Sequence, residues 1–162
     1  MKSIFALILA ASVCLNITAC GHDGYDATLA EGIQFAAKRD YPTFIKSVSG
    51  MSGYEAEGRW TEGKNVVFTF KEKLPTSFTL ELEMVGGFGP TAGNAIHVLV
   101  GDWAGHPVID TKPGIHKLLV KTNTPTDHID FIVPYATSPN ALGGHDSREL
   151  GIMFKRLSII AN

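Results

Sequence analysis

The chain has 162 residues, 14 of them basic and 16 acidic, with a formal net charge of −2 and 44% hydrophobic residues. The charges are spread without blocks and the densest basic stretch is Lys155-Arg156, so nothing here can neutralise a phosphate backbone and nucleic acid is excluded as a partner. Seventeen glycines and eight prolines interrupt the sequence at short intervals, which suits short strands and turns rather than long helices.

At the N-terminus, Lys2 supplies a short positive region and the run from Ile4 to Ala11 an apolar stretch of signal-peptide length. A membrane-spanning helix needs about 20 apolar residues, more than this run offers. Ile17-Thr18-Ala19-Cys20 resembles the bacterial lipobox, with cleavage between Ala19 and Cys20 and diacylglycerol on the Cys20 thiol. An ordinary signal peptidase also accepts this small pair and would leave Cys20 a plain thiol. Cys14 is a poorer lipidation site because branched Val13 precedes it.

The expected organisation is therefore a signal peptide over 1–19, a lipidated tether over 20–30, and a single domain over 31–162. Without Lys2, 13 basic residues face 16 acidic ones. With Cys14 removed and Cys20 acylated, the mature chain has no thiol pair, so its 143 residues must stand on a hydrophobic core. Three acyl chains anchor stably where one does so only marginally. Gly21 stands where inner-membrane retention would call for Asp, so the expected location is the outer membrane facing the periplasm, or the cell surface.

Residues 21 to 28 read as polar tether. Over Tyr41 to Gly50, Pro42 near the start, Gly50 at the end and the spacing of Phe44, Ile45 and Val48 predict one short helical turn. From residue 59 the apolar period becomes two. Strands are predicted over 66–70, 78–84, 95–100, 116–121, 128–133 and 151–159; Phe78, Leu80, Leu82 and Met84 share one face and Thr79, Glu81 and Glu83 the other. About seven strands with turns between them predict an all-β fold, an antiparallel jelly-roll-type sandwich.

No motif in the sequence assembles an enzyme. The six histidines are scattered, and His97, His106 and His116 lack the spacing of a zinc site. No metal and no cofactor is expected. Glu55 and Glu57 alternate as on one side of a strand, which fits a solvated face better than two carboxylates opposed across a substrate. Arg59-Trp60 brings a planar donor fork and a flat apolar face together, which suits a sugar ring or an anionic group on a glycan. The pair better suits an ordinary structural role, Trp60 plugging the sandwich end and Arg59 bonding a neighbouring carboxylate or carbonyl. In the loop from Ser138 to Gly151, Asp146 and Arg148 would approach Glu55 and Arg59 if the first and last strands pair, forming a cluster that either locks the loop or binds a ligand.

The series Gly32-Ile33-Gln34-Phe35, Tyr41-Pro42, Val48 to Gly53, Glu55, Gly58-Arg59-Trp60, Leu74-Pro75, Phe88-Gly89-Pro90, Val100-Gly101, Pro134, Ser138-Pro139, Asp146, Arg148 and Leu150-Gly151-Ile152 resembles the soluble C-terminal accessory domain of bacterial phosphoglycerol transferases and some membrane glycosyltransferases. The resemblance runs from about residue 31 to 160, nearly the whole mature chain. It implies a carbohydrate-binding-like β-sandwich beside enzymes that build or decorate periplasmic glucans and surface glycans, without the transferase chemistry. It also marks two departures: Glu57 stands where the family tends to carry Trp, and Thr91 where it carries Asn, with Asn94 three residues later.

The expected function is a non-catalytic envelope lipoprotein that binds an envelope glycan or periplasmic glucan, or docks onto a glycan-modifying enzyme. Its candidate ligand-binding residues are Glu55, Arg59, Trp60, Asn94, Asp146 and Arg148. One rival is a lipoprotein contacting a protein partner through Trp103 and the loop Gly101 to Pro107. Another is an enzyme using Glu55, Glu57 and Asp146.

Overall fold

The computed structural model describes residues 24–103 and 108–162. The expected signal peptide and Cys20 lie outside these residues. The strands are β1 (Ile33–Gln34), β2 (Ile45–Ser49), β3 (Arg59–Glu62), β4 (Asn65–Phe70) and β5 (Ser77–Gly87). They continue with β6 (Ile96–Leu99), β7 (Val108–Ile109), β8 (Gly114–Lys121), β9 (His128–Ile132) and β10 (Leu150–Ala161). The first sheet runs β1-β10-β5-β8, with β3 also on β10; the second runs β2-β4-β9-β6-β7. Every pairing between these strands is antiparallel. The result is an all-β sandwich of jelly-roll type.

The alternation read in the sequence does the sorting. Phe78, Leu80, Leu82 and Met84 of β5 are buried, while Thr79, Glu81 and Glu83 between them stay partly exposed. Between the sheets Phe35, Phe68, Phe131 and Phe154 form a closed set of rings, with Phe131 and Phe154 at 5.2 Å and Phe35 stacked on Phe154 at 5.8 Å. Such aromatic contacts supply specific geometry as well as buried area.

Three expectations need correction. The segment Tyr41 to Gly50 contains strand β2 rather than a helical turn. A register shift between Ile45 and Ser47 against β4 adds one residue to β2, so Ile45 and Val48 both meet inward partners, Phe70 and Phe68. A bulge of this kind gives a strand the three-residue apolar spacing of a helix. The polar stretch from Gly24 is held against the body rather than hanging free. Tyr25 bridges to Pro42, its hydroxyl accepts from the Gln34 N–H at 3.1 Å, and the Leu29 carbonyl accepts from Ile159. Trp103 is also no exposed anchor, because it packs half-buried against the core; residues 104–107 of that loop lie outside the described ones.

Candidate functional site: a groove on the outer face of the first sheet

Gly50 to Glu62 folds into a hairpin whose second arm is β3. Met51 bridges to Thr61 and Glu55 to Gly58, with Glu55 and Gly58 exchanging backbone hydrogen bonds at 3.0 and 3.1 Å around Ala56-Glu57. Gly58 is required where β3 meets β10, since a Cβ there would lie 2.2 Å from the Phe154 carbonyl oxygen. Thr61 is fully buried and its Oγ1 accepts the Ile152 N–H at 2.9 Å. Strand alternation then sends Trp60 to the outer face and Arg59 to the core side.

Arg59 and Trp60 are therefore no single subsite. The Arg59 guanidinium lies over the Tyr41 ring at 4.8 Å and donates to the Arg39 carbonyl at 2.7 Å, while its Nε is buried without a partner. Burial pushes the Tyr41 phenol up, and the arginine beside it opposes that shift. Arg59 thus closes the core rim. Trp60 stands half-buried on the opposite face, edge-on to Phe88 with ring centroids 6.0 Å apart.

Beside Trp60 the outer face is uneven. Trp60 is in register with Met153, and Met153 with Gly86. A Cβ on Gly86 would meet only the Pro113 ring, at 3.7 Å. Register shifts on both sides of Phe154 disturb the pleat there, as bulges do. At Val85, next to Gly86, begins an open groove of about 490 Å³, lined by Ala56 and Glu57 of the hairpin tip and by Pro113 and Ile115; Trp60 stands outside its lining. Glu83 and Lys155 also line it, paired at 2.9 Å.

The loop before β10 closes onto the same hairpin. Asp146 accepts from Arg148 Nε at 2.9 Å and Nη2 at 2.6 Å, and Glu55 accepts from Nη1 at 3.1 Å. Arg148 thus ties Asp146 to Glu55, 93 residues away in sequence. The hydrogen bonds from Arg148 hold the Asp146 carboxyl below its ordinary value, and the same bonds push the guanidinium up. The side chains of all three remain about one-third exposed. In register terms Trp60 sits between the Leu150 end of β10, where this loop arrives, and Gly58, opposite Glu55. Asn94 belongs elsewhere: its amide donates to the Pro90 carbonyl at 2.7 Å and closes the 3-10 turn Gly89–Thr91. Among the described residues no group of three His, Cys, Asp or Glu is placed to hold a metal ion.

A family profile described as a domain of unknown function, DUF7024, matches residues 22–161. The chain belongs to the DUF7024 family. No curated protein sequence matches it. Two solved structures, both single-residue variants of the family 29 carbohydrate-binding module CBM29-2, are similar to it. One is 14% identical with a TM-score of 0.49, covering 80% of this chain and 83% of its own. The other is 16% identical with a TM-score of 0.44, covering 80% and 88%.

In this DUF7024 chain the structure brings together Glu55, Asp146 and Arg148 of the sequence-stated candidates and separates Arg59 and Asn94 from them. The groove residues Glu57, Glu83, Pro113, Ile115 and Lys155 were not among those candidates. Only Glu57 carried a signal, as a departure from the resembled pattern. The others are brought near one another by the antiparallel register of β5, β8 and β10, and no local motif marks them.

Proposed function

We propose that this chain is a non-catalytic glycan-binding domain, displayed on the cell envelope through lipid on Cys20, and that glycan lies in the outer groove against Trp60. The observation that carries the reading is the outer face itself: Trp60, braced by Phe88, is in register through Met153 with Gly86, and the next residue, Val85, begins an open groove lined by the carboxylates of Glu57 and Glu83. A flat apolar face receives the C–H side of a sugar ring, and carboxylate oxygens accept from its hydroxyls. The lipobox-like Ile17-Thr18-Ala19-Cys20 supports the envelope placement, and the resemblance to accessory domains of glycan-building enzymes supports glycan as the ligand class.

An enzymatic reading finds poor support in the cluster. A general acid needs a raised pKa, whereas Asp146 is lowered and shares Arg148 with Glu55. A protein-docking reading has one observation in its favour: Ile115 and Leu119, 54% and 57% exposed, stand on β8 at the edge of its sheet.

The test is a calorimetric binding screen of the full chain in detergent against envelope glycans and periplasmic glucans, with Trp60→Ala in parallel. Trp60→Ala is expected to abolish measurable binding while circular dichroism stays that of the parent. Equal binding by parent and Trp60→Ala would remove the groove as the site, and no binding to any glycan would favour the docking surface on β8. A Cys20→Ala chain is expected to leave the membrane fraction and lose the acyl mass.

A further inference from the structure

Resting on the glycan reading, we infer that this groove takes an uncharged, hydroxyl-rich glycan and rejects glycans bearing phosphodiester or carboxylate groups. An anion site offers free N–H donors, from an unpaired arginine fork or a helix N-terminus. Neither arginine of the hairpin region presents an unpaired fork to the groove. Arg148 donates from Nε, Nη1 and Nη2 to Asp146 and Glu55. Arg59 faces the other side of the sheet and is held by the Arg39 carbonyl and the Tyr41 ring.

The remaining cation of the groove is also neutralised, since Lys155 lies 2.9 Å from Glu83. Beyond the wall, Lys112 lies 3.1 Å from Asp110. Glu57 is exposed and has no ion pair or hydrogen bond from its side chain among the described residues. Across the groove and the Arg148 cluster, the four carboxylates of Glu55, Glu57, Glu83 and Asp146 face three cations, Arg148, Lys155 and Arg156, and Arg156 is shared with Glu81. The local field therefore opposes an incoming anion, while free carboxylate oxygens accept hydroxyl hydrogen bonds. In this chain the acidic Glu57 at the hairpin tip is a selectivity residue.

The experiment compares one neutral glucan oligosaccharide with the same oligosaccharide carrying phosphodiester substituents, titrated calorimetrically into the full chain at low and at physiological salt. The neutral sugar is expected to bind at least about tenfold tighter at low salt, with the gap narrowing as salt screens the repulsion. Glu57→Gln is expected to narrow the ratio between the two ligands. Tighter binding of the substituted sugar, or a ratio indifferent to both salt and Glu57→Gln, would overturn the inference while leaving glycan binding intact. Absence of binding by both sugars would overturn the glycan reading and this inference with it.

Discussion

The first sheet has two faces that answer to different physics. Its inner face is filled: Phe154, Leu82 and Leu80 are essentially inaccessible, and the four phenylalanine rings add no polar group of their own. Its outer face carries two register shifts, a glycine at position 86, a half-buried tryptophan and charged residues in pairs. Dense packing makes the inner face intolerant of any change in shape, whereas irregularity is what gives the outer face a groove. On the proposed reading, stability and recognition are divided between the two sides of the same strands.

The division is sharpest for Phe154, where Phe154→Ala should cost about 3–5 kcal/mol in denaturant unfolding. A cost below about 1 kcal/mol would mean that the ring cluster is not the keystone its contacts suggest. Gly58→Ala tests the seam between the faces. Its methyl would press on the Phe154 carbonyl oxygen, and overpacking of this sort costs about 1–3 kcal/mol, read as a lower unfolding midpoint. Arg148→Ala belongs to the outer side. Because the ion pairs are about one-third exposed, global stability should fall by about 1 kcal/mol or less, while amide exchange over Ser138 to Glu149 accelerates. Unchanged exchange there would show that backbone contacts alone hold the loop.

The smallest effects are those of pH. Asp146 has a folded pKa below its unfolded one, so its contribution is complete above the ordinary carboxylate value and is lost only as pH falls through the depressed folded value. Loop exchange should therefore keep its neutral-pH protection into mildly acidic conditions. Asp127 offers a sharper comparison: hydrogen bonds from His128 and Lys73 lower it to about 2, so its carboxyl resonance should titrate about two units below an unperturbed aspartate. A midpoint near 4 would mean that neither partner holds it in solution.

Most of the fold was legible. Period-two runs located six of the ten strands among the described residues, because burying one face of a sheet imposes that period directly. The strands that escaped are short or bulged: β1 and β7 have two residues each, too few to show a period, and the bulge in β2 imitated a helix. The pairing of the Arg148 loop with Glu55 was within reach because the first and last strands of such a sandwich commonly meet. The separation of Arg59 from Trp60 follows from the same alternation, once Trp60 is known to lie within a strand.

The sequence by itself determined the all-β class and which face of β5 is core, since these depend on local pattern. Tertiary structure decided which side of the sheet each polar residue serves. Only the register of β10 against β3 and β5 put Arg59 on the core rim and left Gly86 bare across Met153 from Trp60. Only the pairing of β5 with β8 and β10, and of β3 with β10, brought Glu57, Glu83 and Ile115 to one groove. Such contacts join residues far apart in sequence, and their geometry depends on bulges that shift a strand by one residue, a change that leaves composition and periodicity almost untouched.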